Sequence, residues 1–188
     1  MKKWLLNPFI YVAGSKALMY GLAIMAATAV IGYFSHTHFD GAIDVHMGHA
    51  STISVHLLEQ VVAWLLPVIT FYIAARITSS SSIRLIDVAG TTALVRYPMI
   101  ICALLGFLVP EHGPVRTTEE ALKSINGPTI IVGLLCLCLG IWMIALLWNA
   151  FKVSGNVKGA KGVIAFIIAL LTAEALAFAI LHQNYFNG

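Results

Sequence analysis

Long apolar runs alternate with short polar stretches along the whole of this 188-residue chain. Five runs are long enough to cross a bilayer, since a helix needs about 20 apolar residues to span its hydrocarbon core. They lie approximately at residues 17–34, 55–76, 88–109, 128–150 and 163–182. Backbone groups in lipid must find hydrogen-bond partners within their own segment, so each run predicts a helix. The predicted fold is an all-α integral membrane protein with five transmembrane helices, and residues 1–188 form a single membrane domain.

Composition supports lipid as the solvent of this chain. Hydrophobic residues make up 60% of the sequence and charged residues only 10%, whereas a soluble domain carries roughly 25% charge. The net charge of +3 is scattered and forms no basic stripe, so nucleic acid is not a predicted partner. The predicted partners are the lipid bilayer and, within it, other membrane proteins or a second copy of the chain.

The distribution of lysine and arginine predicts the orientation. Eight of these residues precede the first helix or occupy the second and fourth loops: Lys2, Lys3, Lys16, Arg76, Arg84, Lys152, Lys158 and Lys161. The opposite loops carry only Arg116 and Lys123. Because cytoplasmic loops are enriched in positive residues, we expect a cytoplasmic N-terminus and an outside C-terminus. Residues 1–16 are then a cytoplasmic or interfacial segment.

The first polar loop, residues 35–54, is rich in histidine. It contains the string S-H-T-H-F-D-G-A-I-D-V-H-M-G-H at residues 35–49. With the predicted topology this loop lies outside, as do all seven histidines of the chain. Histidine avoids the lipid core, yet chance alone rarely places seven on one side. An alternative is that outer loops which exclude lysine and arginine use histidine as a neutral polar residue.

The spacing of the polar residues in and after this loop predicts how they group. An extended backbone points His36 and His38 to one side. The pairs Asp40–Asp44 and His46–His49 have the spacing of helical turns, and His56 with Glu59 shares one helix face. The candidate ligands are His36, His38, Asp40, Asp44, His46, His49, His56 and Glu59.

This combination of ligand types favours a transition metal. Imidazole and carboxylate together suit zinc, with nickel, copper or iron as alternatives. A complete site needs three or four of the candidate ligands. We therefore predict a divalent transition metal, zinc first, as the cofactor. A proton-sensing histidine cluster is the competing interpretation.

Charged residues inside the apolar runs form a second candidate set. Glu59, Arg96 and Glu174 are costly in lipid and should face the bundle interior. One interpretation is a buried Arg96–Glu174 ion pair; another joins the carboxylates and His56 into a proton or cation path. Since one arginine neutralises one carboxylate, the other is protonated, at the surface or a cation ligand. Pro67 and Pro98 interrupt helical hydrogen bonding and free backbone carbonyls.

The last two apolar runs resemble the closing helix pair of the Yip-domain family, which includes Rab-GTPase-interacting membrane proteins and bacterial relatives. The residues that match its pattern are Trp142, Lys152, Ser154, Gly155, Gly159, Ala160 and Lys161. The resemblance implies five spans and a cytoplasmic N-terminus. Eukaryotic members have a long cytoplasmic region before the first helix, whereas sixteen residues stand here, so GTPase binding is not expected. The short polar loops favour a bacterial relative, for which the expected location is the bacterial inner membrane and the implied role is membrane organisation or transport.

The sequence favours a non-enzymatic protein. It contains no H-E-x-x-H helix and no identifiable nucleophile–base pair, so an intramembrane hydrolase is the least favoured interpretation. The leading hypothesis is a Yip-type membrane protein with an outer-face metal site, linked to transport or sensing. A membrane-organising protein that binds partners, without a metal, is the alternative.

Overall fold

The computed structural model describes residues 5–47, 50–110 and 126–186, with side chains as far as residue 181. The helices are α1 (Gly14–Ser35), α2 (Ile53–Thr78), α3 (Leu85–Leu94), α4 (Tyr97–Gly106), α5 (Gly127–Ser154) and α6 (Gly159–Phe186). A short 3-10 turn, Pro8–Ile10, precedes α1, and two short strands, β1 (Thr37–His38) and β2 (His46–Met47), follow it. His49, His112, Arg116 and Lys123 lie outside the described residues.

Five segments are long and apolar enough to cross a membrane, with α3 and α4 together forming the third. This confirms the predicted all-α membrane protein with five spans, while the sides on which the termini lie stay a prediction. The helices begin close to the predicted runs because hydropathy and local caps act within each segment. At the start of α5, for example, Asn126 Oδ1 accepts a hydrogen bond from Thr129 N at 3.0 Å, as expected of an N-cap residue.

The third span is broken between α3 and α4 at Val95–Arg96. Pro98 has no N–H group and cannot donate to the carbonyl of Leu94, so the helical ladder is interrupted there. Arg96 is the N-cap of α4 and is 2% exposed. The break therefore places a charged side chain in the interior of the bundle.

Apolar side chains fill the half of the bundle next to the turns at 79–84 and 155–158. The ring of Phe71 in α2 lies 5.3 Å from that of Phe151 in α5 and 5.5 Å from that of Phe166 in α6. Tilted aromatic pairs of this kind stabilise a fold by about 0.5–1.5 kcal/mol beyond their buried area. This aromatic core fixes α2, α5 and α6 relative to one another.

The first polar loop folds back between the helices. β1 and β2 pair antiparallel, with His38 opposite His46. Within the turn between them, Phe39 and Ala42 are each 1% exposed. Because His46 belongs to an extended strand, the helical turn predicted from His46 is wrong at this residue. The loop is therefore a re-entrant element of the core.

Close helix packing generates a prediction at Gly21 of α1. A Cβ at Gly21 would collide with the backbone and Cβ of Ala93 in α3, whereas a Cβ at Gly133 of α5 meets nothing within 4 Å among the described residues. We expect Gly21→Ala to destabilise the protein by about 1–3 kcal/mol, as overpacking does. Gly133→Ala should be neutral or stabilising, because alanine is favoured over glycine within a helix.

Thermal unfolding of both variants in the same detergent measures the difference. Equal unfolding midpoints for Gly21→Ala and Gly133→Ala would contradict the tight α1–α3 contact.

Candidate metal centre

Three of the predicted ligands meet where α1 ends and α2 begins. They are His38 of β1 and His56 and Glu59 of α2, and one ligand atom from each lies within 4.8 Å of the others. His38 Nδ1 is 2.7 Å from Glu59 Oε1, and His56 Nδ1 is 3.9 Å from Glu59 Oε2. The two imidazole rings stack with centroids 4.4 Å apart. None of the three residues is more than 2% exposed.

A sharp turn after α1 brings His38 to this place. His36 adopts the left-handed conformation, with φ 50° and ψ 40°, and the chain reverses into β1. Gly32 permits the reversal, because a Cβ there would lie 2.7 Å from the carbonyl oxygen of Thr37. The extended geometry predicted for His36 is therefore wrong, and His36 is not part of the three-residue group.

Helical periodicity places the other two ligands. His56 and Glu59 are three residues apart on α2 and both face inward, as predicted from their spacing. Glu59 also accepts a hydrogen bond from the backbone N–H of Phe39 through Oε2, at 3.1 Å. The carboxylate thus contacts the strand that carries His38 twice, once through the ring and once through the backbone.

His56 offers a buried nitrogen suited to a cation. Its Nε2 lies 3.2 Å from Ser51 Oγ, and its Nδ1 lies 3.9 Å from Glu59 Oε2. The backbone of Thr37 also contacts this imidazole. If Nε2 carries the proton and donates to Ser51, the lone pair of Nδ1 points at the carboxylate group and can bind a metal.

Glu174 holds the turn of the re-entrant loop from the opposite side. Its carboxylate in α6 accepts hydrogen bonds from the backbone N–H groups of Ala42 at 3.1 Å and Ile43 at 2.8 Å. Gly41 is required beside it, because a Cβ at that position would collide with the carboxylate. Glu174 is half-buried, so these amides satisfy a charge that faces the bundle.

Arg96 contacts the same loop from the break between α3 and α4. Its Nε donates to Gln60 Oε1 at 3.0 Å, and its Nη1 donates to the carbonyls of Ala63 at 3.2 Å and Ala42 at 3.5 Å. The Ala63 carbonyl is the one that Pro67, four residues later in α2, leaves without its helical donor. A proline within α2 therefore creates the acceptor for the buried arginine.

The predicted ion pair between Arg96 and Glu174 is not formed: no atoms of their charged groups lie within 4.0 Å of each other. The two side chains are linked through Ala42 instead, whose N–H is bonded by Glu174 and whose carbonyl is bonded by Arg96. All three predicted intramembrane charges, including Glu59, nevertheless face the bundle interior, as expected.

Asp40 and His46 form a separate pair at the exposed edge of the loop. His46 Nδ1 lies 2.9 Å from Asp40 Oδ1, and the histidine side chain is 67% exposed. Burial raises the pKa of Asp40, but the hydrogen bond and charge of His46 outweigh it, and the net pKa lies below its usual value. The same hydrogen bond raises the pKa of His46 above its usual value, against a smaller effect of burial.

The structure thus divides the predicted ligand set. His38, His56 and Glu59 form the buried group, and Asp40 with His46 forms the exposed pair. Asp44 is exposed and lines a surface depression together with His46, while His49 lies outside the described residues.

Several contacts of the site were not identified from the sequence. Ser51 contacts His56 through its hydroxyl, and the side-chain oxygen of Gln60 accepts a hydrogen bond from Arg96. Backbone N–H groups of the loop donate hydrogen bonds to the carboxylates of Glu59 and Glu174. A signal for Gln60 is present, since it is an amide side chain inside an apolar run, directly after Glu59. A backbone amide leaves no signal in the sequence.

Comparisons with known protein families, curated proteins and solved structures find no match to this chain. The resemblance to the Yip-domain family therefore stays a prediction.

The exposed pair generates a pH prediction. The contribution of His46 to loop stability is complete below pH 6.5 and is lost as the pH rises through its raised folded-state pKa. The contribution of Asp40 is present above pH 3.8 and is lost as the pH falls through its lowered pKa. We expect the NMR titration of His46 in micelles to show a pKa above 6.5, and Asp40→Asn to return it toward 6.5.

A matched control is Asp87→Asn at the start of α3, beside Arg84 and far from the loop. An unchanged His46 titration in Asp40→Asn would contradict the hydrogen-bonded pair.

Proposed function

We propose that this integral membrane protein binds a divalent transition metal, with zinc as the favoured ion, through His38, His56 and Glu59. The observation that carries the proposal is the buried imidazole of His56, whose Nδ1 lies 3.9 Å from a carboxylate oxygen of Glu59 and whose ring stacks on the imidazole of His38. Two imidazoles and one carboxylate are a common ligand set for zinc, and a fourth position remains for water.

The distances support this ligand set. Zinc bonds nitrogen and oxygen at about 2.0–2.2 Å, so two ligand atoms on a tetrahedron lie roughly 3.3 Å apart. The observed separations of 2.7 Å for His38–Glu59 and 3.9 Å for His56–Glu59 each differ from that value by less than about 1 Å. All three ligand atoms lie within 4.8 Å of one another.

The charges of the polar core also favour a cation. Glu59 and Glu174 carry two negative charges when ionised, and Arg96 supplies one positive charge within the same core. One negative charge remains to be neutralised, either by protonation of His38 or by a metal ion. A metal has the further advantage that it would also bond the His56 nitrogen, which lies 3.9 Å from Glu59.

Burial supports binding more than catalysis. The three side chains are at most 2% exposed, so the described residues leave a substrate no direct approach to a metal-bound water. We therefore propose a non-enzymatic role, in which the metal fixes the re-entrant loop as part of a sensor, a store or the first step of a transport path. The alternative is a membrane-organising protein in which the His–Glu contacts only stabilise the loop.

The setting of this function follows from the charge distribution. We propose that the metal site lies on the outer side of a bacterial inner membrane, and the excess of lysine and arginine at the opposite end of the bundle supports the outer side. Membership of the Yip-domain group is part of the same proposal and rests on the resemblance of the last two spans.

Metal analysis of tag-free protein in detergent tests the proposal. We expect about one zinc per chain after equilibration with micromolar zinc, and loss of most of it in His38→Ala and His56→Ala. His46→Ala is the matched control, because it removes a histidine of the same loop that lies outside the buried group. Ser51→Ala should weaken binding about 10- to 100-fold, as loss of a group that orients a ligand does.

Two results would refute the buried site. Wild-type protein that binds no zinc, nickel, copper or iron favours the structural alternative. Equal loss of metal in His46→Ala and His56→Ala shows that the exposed loop binds it instead.

A further inference from the structure

A second feature of the molecule, independent of the metal site, is a groove between α2 and α6. Its volume is about 640 Å³, and its lining includes the small side chains of Ala74, Ala165 and Ala169. Isoleucines form its rims; Ile77 of α2 is 78% exposed and Ile168 of α6 is 60% exposed. The groove is therefore apolar and open along the lipid-facing side of the bundle.

The length of the groove matches one leaflet of a bilayer. Its lining residues on α6 extend from Lys161 to Thr172, and the eleven steps between these two residues span about 16 Å of helix. Half of a hydrocarbon core of about 30 Å is about 15 Å. One acyl chain of a phospholipid therefore fits the groove along its axis.

Positive charge lies at one end of this groove. Lys161 is the charged residue among the lining residues. Exposed Arg76 is in the last turn of α2, and exposed Lys158 directly precedes α6. Basic residues at the end of a groove between transmembrane helices favour the phosphate of an anionic lipid.

We propose that this groove is a binding site for an anionic glycerophospholipid, with one acyl chain between α2 and α6 and the phosphate at Lys161. The hydroxyls of Thr78 and Thr172 in the groove leave its surface suited to an acyl chain, because each donates a hydrogen bond to a backbone carbonyl of its own helix, at 2.7 and 2.8 Å. The acyl chain fills the space between these two helices, where their own side chains are small.

Native mass spectrometry of the full chain, delipidated in detergent, tests the site. We expect phosphatidylglycerol to bind more tightly than phosphatidylcholine with the same acyl chains. Lys161→Gln should weaken phosphatidylglycerol about fivefold, as expected for one basic residue at a lipid phosphate. Lys16→Gln is the matched control, since Lys16 is an exposed lysine at the same end of the bundle but outside the groove.

A second variant tests the acyl chain separately from the charge. Ala165→Leu fills the groove and should lower the binding of both lipids, while excess inorganic phosphate should displace neither. The proposal is overturned if the two lipids bind equally to the wild type, or if Lys161→Gln and Lys16→Gln behave alike. A dimeric mass that persists without lipid and is lost in Ala165→Leu also overturns it, because a second copy would then occupy the groove. None of these outcomes depends on metal binding.

Discussion

The polar half of this protein depends on the hydrogen bonds of one buried arginine. Arg96 is enclosed at the break between α3 and α4, where its charge must find acceptors inside the bundle. It finds them in Gln60, in the carbonyl of Ala63 and in the carbonyl of Ala42. Both prolines contribute, since Pro98 produces the break that carries the arginine and Pro67 frees one of its acceptors. Breaking such a contact leaves an uncompensated charge in a low-dielectric region, which is strongly destabilising.

Two carboxylates stabilise the re-entrant loop because they accept hydrogen bonds from its backbone N–H groups. Non-helical backbone at membrane depth is tolerated only where protein groups or water satisfy its N–H and C=O groups. Glu59 accepts from Phe39, and Glu174 accepts from Ala42 and Ile43. The bundle thus has two interiors: an aromatic core that holds the helices together, and a polar core that holds the loop. The group of His38, His56 and Glu59 lies in the second.

Much of the architecture is predictable from the sequence, because the determinants of a transmembrane helix are local. Hydropathy predicts the five spans, the spacing of His56 and Glu59 predicts their common face, and Pro98 marks the break in the third span. The position of the loop is not local, since the contact between Ile43 and Glu174 joins residues 131 positions apart. The same long-range contacts decide which histidines enter the buried group. They bury His38 and leave His46 exposed, although the two are equally plausible in the sequence and directly opposite one another in the β-pair.

The peptide groups on either side of Ala42 couple two spans of the bundle mechanically. The N–H of this residue is held by α6 through Glu174, and its carbonyl is held by the third span through Arg96. A tilt that draws these spans apart must stretch one of the two contacts and pull on the strand that ends at His38. Lateral tension or a change in bilayer thickness would then act on the imidazole–carboxylate group by two routes, through four residues of backbone to His38 and through the contacts of Arg96 with Gln60 and Ala63 in α2.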